Sequence, residues 1–346
     1  MGEKHRVRFE PVGIEIEADE DQNILRAAAE QGVMLMHGCK EGQCGSCKSF
    51  ILDGEDVEHD RYSTFALPDY EKEEGYTLLC RAHAYEDLTI ELINYDEDMI
   101  RSGLPIQQAV VEVVSKEHVT HDMVQLVVRL VEPADLKFFP GQYLDFEVPG
   151  ADATRSFSMA TTSAAGGLLE FVIRIYPDGL FSGYLDGEVA VGDRMRVTGP
   201  FGVFTLRDST APLVFLGGGA GIAPILALLR SMAERGIERK AVFYYGARRR
   251  RDLCFEKEIA ELATRLPGFE FVPALSESDG EPWDGEVGLI TDVVRRAEGN
   301  LTGADAYVCG PPPMVEAALE LLPELGVAEK RVFYDKFTTT GDPDDP

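Results

Sequence analysis

Three cysteines lie within the segment Gly38-Cys39-Lys40-Glu41-Gly42-Gln43-Cys44-Gly45-Ser46-Cys47, and a fourth follows at Cys80. This spacing, C-x4-C-x2-C with a distant fourth cysteine, is typical of plant-type [2Fe–2S] sites. Thiolates are soft ligands that suit iron, and glycines let the loop bend tightly around a cluster. We therefore predict that Cys39, Cys44, Cys47 and Cys80 ligate a [2Fe–2S] cluster. Structural zinc is the alternative, but zinc sites usually contain C-x2-C twice, and only one such pair is present.

The sequence around this segment predicts a small β-grasp ferredoxin domain over residues 1–98. Apolar and charged residues alternate over 6–18, around Pro11-Val12-Gly13, which indicates a hairpin. An alanine-rich stretch over 23–30 predicts a short helix, and 88–92 predicts a closing strand.

Residues 99–107 contain Gly103 and Pro105 and read as a linker. Short runs rich in Val, Phe and Ile follow, separated by turn residues, and they predict an antiparallel β-barrel over residues 108–209. The predicted barrel strands are Val110–Val114, Val124–Leu130, Tyr143–Val148, Leu168–Ile175 and Met195–Val197.

Over residues 210–346 strands and helices alternate, which predicts an α/β domain with a parallel sheet. The fold class is therefore multidomain, with three domains in series. The predicted elements are strands Leu213–Leu216, Lys240–Tyr245 and Ala306–Cys309 and helices Ala223–Arg235, Phe255–Leu266 and Pro313–Leu322. We expect the tail, 341–346, to be disordered.

The charge of the chain excludes one class of partner. The formal net charge is −28, which argues against nucleic acid because phosphates require a basic face. Residues 1–98 contain 24 acidic and 9 basic residues, so much of this charge lies on the cysteine-bearing end. An acidic docking face for a basic partner and a merely solvated surface are both open. No apolar run predicts a signal peptide or a membrane helix, and we expect a cytoplasmic protein.

A glycine-rich segment, Gly217-Gly218-Gly219-Ala220-Gly221, lies between a predicted strand and a predicted helix. There the backbone N–H groups and the helix dipole favour the phosphates of a dinucleotide. Ile222 stands where a full GxGxxG motif has its third glycine, so a plain tight turn is the alternative.

Two further groups of residues suit a flavin. Arg155-Ser156-Phe157-Ser158 is predicted on a barrel strand, and Gly179-Leu180-Phe181-Ser182 opens a short helix after Ile173-Arg174. Arginine suits a pyrophosphate, an aromatic ring stacks on a flavin, and a hydroxyl can bond to it. Taken singly, each could be an ordinary barrel residue.

Cys309-Gly310-Pro311 follows a predicted strand at the carboxyl edge of the sheet, where ligands bind in such folds. A buried structural cysteine is the alternative reading. Cys254, near the start of a predicted helix, is expected in the core.

These motifs occur in an order that resembles the ferredoxin–NAD(P)H reductase family. More narrowly, the chain looks like the reductase components of soluble di-iron monooxygenases. The segment Ala66–Gly75, leading into Leu78-Leu79-Cys80-Arg81, is similar to methane monooxygenase reductase and favours the alkane branch.

The resemblance implies roles for individual residues. Arg155, Ser156, Phe157 and Ser158 would bind FAD, with Ser158 near the flavin N5. Ile173, Arg174 and Gly179, Leu180, Phe181 and Ser182 would surround its diphosphate. The nicotinamide dinucleotide would lie on Gly217, Gly218, Gly219 and Gly221, with Cys309, Gly310 and Pro311 beside the nicotinamide and Phe337 covering the flavin.

Two positions depart from the family pattern, since Phe157 replaces the usual tyrosine and Asp335 the usual glutamate. Arg248 opens a run of four arginines where the adenosine ribose is expected, so NADPH is an alternative to the NADH that the resemblance favours.

The resemblance implies an NADH:acceptor oxidoreductase that passes electrons through FAD and the cluster to a di-iron hydroxylase of a propane or methane monooxygenase. The alternatives are a reductase for a phenol hydroxylase or for a Rieske aromatic-ring dioxygenase. From another class, a zinc-bearing nucleotide-binding regulatory module stays open.

Overall fold

The computed structural model describes residues 2–93, 95, 97, 100, 104, 106–151, 153–177, 179–277 and 282–337. The described residues fall into two compact units, one within residues 2–106 and the other within residues 107–337. The predicted tail, 341–346, lies outside the described residues, as does most of the predicted linker. Of that linker, Ile100 packs in the core of the first unit and Gln107 begins a strand.

The first unit contains a mixed sheet in the order β2-β1-β7-β3-β5. Its hairpin forms as predicted because Val7 and Phe9 point into the core while Arg6 and Arg8 remain at the surface. Asn23 caps helix α1 by accepting a hydrogen bond from the backbone N–H of Arg26 at 2.9 Å. The elements are β1 Lys4–Glu10, β2 Ile14–Asp19, α1 Ile24–Glu30, β3 Lys48–Asp53, β4 Val57–His59, α2 Asp69–Glu73, β5 Tyr76–Leu78, β6 Ala82–Ala84 and β7 Leu88–Glu91.

The second unit begins with an antiparallel sheet in the order β11-β10-β13-β8-β9-β12. Alternate residues of these strands point inward, and Phe146, Phe171 and Phe181 meet edge to face in the barrel core. The elements are β8 Gln107–His118, β9 Met123–Glu132, β10 Tyr143–Glu147, β11 Thr154–Ser158, β12 Leu168–Arg174, α3 Leu180–Gly187 and β13 Arg194–Phe201.

A parallel sheet follows in the same unit, in the order β17-β16-β15-β14-β18-β19. Its central strand β14 is buried along its whole length, which explains its continuous apolar run. The elements are β14 Leu213–Gly218, α4 Ile222–Arg235, β15 Ala241–Ala247, α5 Glu256–Arg265, β16 Phe269–Leu275, β17 Glu286–Val287, α6 Ile290–Ala297, β18 Asp305–Gly310, α7 Pro312–Glu324 and β19 Val332–Lys336.

The strand order reverses between β14 and β18. From β14 the chain proceeds outward through β15, β16 and β17, and it then returns to the other side of β14 for β18 and β19. Open α/β sheets bind ligands beyond the carboxyl ends of the strands at such a reversal. A ligand site is therefore expected at the carboxyl ends of β14 and β18.

Candidate redox site

The cysteine loop surrounds its sulfur atoms with backbone N–H groups. The amides of Glu41 and Gln43 point at the Cys39 Sγ at 3.4 and 3.2 Å, and the amide of Cys39 points at the Cys44 Sγ at 3.4 Å. Donors of this kind stabilise thiolate sulfur and tune a bound cluster. Gly42 adopts a φ of 71°, and a Cβ there would lie 2.6 Å from Tyr62, so the turn requires glycine.

The four thiols form two pairs. Cys39 is hydrogen-bonded to Cys44, and this bond raises the pKa of Cys39 and lowers the pKa of Cys44 to about 5. Cys47 is hydrogen-bonded to Cys80, and that bond, with burial, raises the pKa of Cys47. The pairing of Cys47 with Cys80 thus joins the loop to the distant fourth cysteine of the predicted cluster site.

The spacing of these sulfurs favours a two-iron site over zinc. Among the described residues, His121, Asp122 and Asp252 form the one group of three or more His, Cys, Asp or Glu side chains whose ligand atoms all lie within 4.8 Å of one another. No three of the four cysteine sulfurs therefore lie that close together. Four sulfurs around one tetrahedral zinc would all lie about 3.8 Å apart, given Zn–S bonds of about 2.3 Å. Two pairs of thiols fit two iron atoms, so the donor set present suits a [2Fe–2S] cluster.

At the strand reversal the glycine turn meets the end of β18. Gly217 pairs with Cys309 between the parallel strands, and a Cβ on Gly221 would lie 2.2 Å from the Cys309 carbonyl oxygen. A Cβ on Gly218 would lie 2.7 Å from the Met314 Sδ and 3.4 Å from Pro311. Gly221 is therefore required by close backbone packing, whereas the space at Gly218 is limited by side chains. The turn stands at the beginning of helix α4, where phosphate binding is favoured.

Phe337 and Cys309 lie close together at this edge. The amide of Phe337 donates to the carbonyl of Gly310 at 3.0 Å, and Cys309 pairs with Asp335 across β18 and β19. Burial, reinforced by the charge of Asp335, raises the pKa of the Cys309 thiol well above its ordinary value. The thiol is therefore neutral near pH 7.

The predicted flavin strand is β11. Phe157 lies 4.9 Å from Phe181 and 5.7 Å from Phe146, measured between ring centroids, and Ser158 is buried at the end of the strand. The hydroxyl of Ser156 donates to Asp145 on β10 at 2.6 Å. The Arg155 guanidinium donates to the neighbouring carbonyl of Thr154 at 2.8 Å.

The second predicted flavin segment closes a tight loop before α3. The hydroxyl of Ser182 accepts from the amide of Tyr176 at 3.1 Å and donates to the Tyr176 carbonyl at 3.2 Å. A Cβ on Gly179 would lie 2.2 Å from this hydroxyl, so glycine is required there. Ile173 is buried in the barrel core, Phe181 is buried with it, and Leu180 is exposed. The first N–H groups of α3 have no partner within the helix and suit a phosphate.

Arg174 lies beside the glycine turn as well as beside the flavin segment. Its Nη1 is 3.5 Å from the position that a Cβ on Gly219 would occupy. Its Nε and Nη2 donate to Asp122 at 2.9 and 2.6 Å. Burial alone would raise the pKa of Asp122, but the hydrogen bond and charge of Arg174 hold it below the ordinary value. The pair thus remains ionised, and Arg174 is held in place.

Two residues that the sequence did not single out position this region. The hydroxyl of the buried Tyr245 donates to the carbonyl of Gly219 at 3.1 Å and also contacts the Cys254 Sγ at 3.5 Å. Arg230, on α4, donates to Glu170 on β12 and to Glu258 on α5. A buried tyrosine and an arginine in a helix carry no local signal of such partners.

The arginine run after β15 is largely paired with carboxylates. Arg249 donates to Glu277 at 2.9 Å and Arg250 to Glu256 at 2.8 Å. Arg248 is exposed at the carboxyl end of β15, and its carbonyl accepts from the amide of Glu277.

Known proteins share these three parts in the same order. Residues 7–85 match the 2Fe-2S iron-sulfur cluster binding domain, 110–206 the oxidoreductase FAD-binding domain and 215–320 the oxidoreductase NAD-binding domain. The chain is 51% identical over 344 residues to the reductase component of propane 2-monooxygenase from Rhodococcus jostii, covering 98% of this chain and 93% of the relative. The chain belongs to the family of monooxygenase reductase components. A relative from Mycolicibacterium goodii is 50% identical, over 98% of this chain and 99% of its own length.

More distant relatives extend the family to aromatic substrates. The reductase component of phenol 2-monooxygenase from a Pseudomonas strain is 35% identical, over 98% of this chain and 96% of the relative. Among solved structures, an Amycolatopsis cytochrome P450 reductase superimposes with a TM-score of 0.83 at 32% identity, covering 97% of this chain and all of that one.

The predicted family, fold class and cofactor domains are thereby confirmed, and the match of residues 7–85 to a 2Fe-2S domain favours the cluster over the zinc-module alternative. This reductase is an oxidoreductase with domains for a [2Fe–2S] cluster, FAD and NAD. In the described residues no helix is both long and apolar enough to cross a bilayer. Its relatives are named as the reductase components of monooxygenases.

Proposed function

We propose that this reductase takes electrons from NADH and delivers them to the di-iron hydroxylase of a propane monooxygenase in the cytoplasm. The observation that carries the proposal is the identity of 48–51% to four propane 2-monooxygenase reductase components along nearly the whole chain. Relatives that serve phenol, xylene or toluene oxygenation reach 35–37%. A partner of the alkane class is therefore favoured over the aromatic alternatives.

The residues at the strand reversal would hold the dinucleotide and align it. Bound FAD would supply the conversion of a two-electron hydride into single electrons for the cluster. Gly217–Gly221 offers backbone N–H groups to the diphosphate, and Tyr245 fixes the carbonyl of Gly219 in this turn. The neutral thiol of Cys309 and the ring of Phe337 lie at the same edge and would exclude water from the nicotinamide.

The carboxylates that pair with the arginine run favour NADH over NADPH as the electron donor. The adenosine ribose is expected beyond the carboxyl end of β15, next to Arg248. A 2′-phosphate there would compete with Glu277 for Arg249 and would meet the negative charge of Glu277 itself. We expect kcat/KM to be higher for NADH than for NADPH, and Glu277→Gln to narrow that preference.

The test is reconstitution of the complete monooxygenase. The holo-reductase would be mixed with the purified propane monooxygenase hydroxylase and its other components, NADH and propane, and propane oxidation would be measured against NADH consumed. Tight coupling of the two rates is expected. NADH oxidation with acceptor dyes but no propane oxidation, together with good turnover when phenol hydroxylase is supplied instead, would refute the alkane assignment.

A further inference from the structure

The cluster site has one open side. Cys47 and Cys80 are buried, whereas Cys39 and Cys44 are only partly buried. Electron transfer slows steeply with distance, so an acceptor protein must come close to an accessible edge of the cluster. Within the first unit, the side of Cys39 and Cys44 is the accessible one.

A tight turn, residues 63–67, is fixed against this side of the loop. The amide of Ser63 donates to the carbonyl of Gly42 at 3.0 Å, and the Ala66 carbonyl oxygen lies 3.6 Å from the position of a Cβ on Gly45. Within the turn, the amides of Ala66 and Leu67 both donate to the Ser63 carbonyl. Gly42 and Gly45 both flank Cys44 in the chain, so the turn stands next to the partly exposed thiol.

The tip of this turn carries a largely exposed aromatic residue. Phe65 is 69% exposed, although Ala66 and Leu67 beside it are buried. Exposed phenylalanine on a rigid turn is costly to hydrate and is well suited to fill a pocket on a partner. Tyr70, on the adjoining helix α2, is also largely exposed.

Acidic side chains border this aromatic surface. Asp69, Glu73 and Glu74 are exposed on and just after α2, and in the part of the chain that the structure describes no cation is paired with them. Glu71 differs, because it forms an ion pair with Lys48 at the start of β3 and so anchors the helix. An aromatic centre with a charged border is the usual anatomy of a specific protein interface.

We propose that Phe65 and Tyr70 form the docking surface for the hydroxylase, seated in an apolar pocket that is bordered by basic side chains. The inference rests on the proposed function, because it requires that the hydroxylase receives its electrons from the cluster. The acidic border steers association and is screened by salt, with a Debye length of about 8 Å at physiological ionic strength. The aromatic centre supplies the affinity.

Phe65→Ala tests this surface in the intact holo-reductase, with Leu52→Ala as the matched control. Leu52 is also an exposed apolar residue, at 51%, but it lies near the far end of β3, about 13 Å along the strand from Lys48. Two rates are measured by stopped flow for each variant: reduction of the cluster by NADH without hydroxylase, and oxidation of the reduced cluster at increasing concentrations of the propane monooxygenase hydroxylase.

For Phe65→Ala we expect unchanged reduction by NADH and a rise of about tenfold or more in the hydroxylase concentration that gives half the maximal rate. Leu52→Ala should match the wild type in both. An unchanged concentration dependence for Phe65→Ala would overturn the inference. Slower reduction by NADH would also overturn it, since the ring would then serve the flavin side of the chain. A wild-type reductase whose cluster is not oxidised by the hydroxylase at all would instead refute the proposed function.

Discussion

Replacing Arg230 by leucine tests the ion-pair network that joins the barrel to the nucleotide-binding sheet. The guanidinium donates to the Ala160 carbonyl at 2.6 Å, to Glu170 at 2.9 and 3.2 Å, and to Glu258 at 2.6 Å. The side chains of Arg230 and Glu170 are only 18% and 15% exposed. Leucine fills much of the same volume but leaves the Glu170 carboxylate without its counter-ion.

The expected loss follows from this burial. Removing one partner of a buried ion pair costs about 3–5 kcal/mol, and some solvent reaches this pair, so we expect about 3 kcal/mol. In a unit of this size that corresponds to a fall of roughly 6–12 °C in Tm. Arg295→Leu is the control, because Arg295 and Glu324 form an equally short pair at 2.6 Å with more than half of each side chain exposed. Exposed pairs contribute about 1 kcal/mol or less.

The assay is thermal unfolding of the holo-reductase, followed by the fluorescence of released flavin. A second variant, Arg230→Leu combined with Glu170→Leu, should recover part of the loss because no buried carboxylate is then left unpaired. If Arg230→Leu and Arg295→Leu lower Tm by the same small amount, the network does not stabilise the second unit and the reasoning fails.

Three further predictions concern the redox path. Cys309→Ala should slow flavin reduction by NADH in stopped flow but leave FAD content and cluster absorption intact, because a misaligned nicotinamide affects mainly the rate of hydride transfer. An unchanged rate of flavin reduction would mean that Cys309 is only a core residue. Tyr245→Phe removes the hydrogen bond to the Gly219 carbonyl, which contributes about 1 kcal/mol. The Kd for NADH should therefore rise about fivefold, with FAD binding unaffected. Equal Kd values for the variant and the wild type would contradict the role given to this hydroxyl. Expressed separately, residues 1–106 should bind the cluster, and residues 107–337 should bind FAD and be reduced by NADH. Visible absorption of each piece checks this expectation.

The secondary structure followed from local signals wherever those signals were strong. The hairpin around Pro11, the helix capped by Asn23 and the strand before the glycine turn all form where alternation, capping and a buried apolar run predict them. Strand β16 and helix α6 were not predicted. β16 is only partly buried and mixes charged with apolar residues, so its pairing with β15 comes from tertiary packing and has no local pattern.

The same distinction separates the site residues that a sequence can nominate from those that it cannot. Glycines, cysteines and the Arg-x-aromatic-Ser pattern stand out because backbone geometry or ligand chemistry limits the residue type. Asp122, Tyr245 and Glu170 lie 52, 26 and 60 positions from the residues that they hold, and each is an ordinary residue in its own element. The neighbouring sequence does not indicate such a partner, because its role depends on which strands and helices the fold brings together.

The strand reversal explains why motifs that are weak singly become informative together. A glycine turn alone or a cysteine after a strand alone has an ordinary structural explanation, but the order of the sheet places Gly217 opposite Cys309 on neighbouring strands. The close approach of Gly221 to the Cys309 carbonyl requires glycine at that position, and the hydrogen bond from Phe337 to Gly310 brings the third element to the same edge. Hydride transfer would need these groups to be held in a fixed arrangement around the nicotinamide. In this chain one crossover in the parallel sheet brings Gly217 and Cys309 to the same edge, so variants that disturb the β14–β18 pairing should impair flavin reduction even when every motif residue is retained.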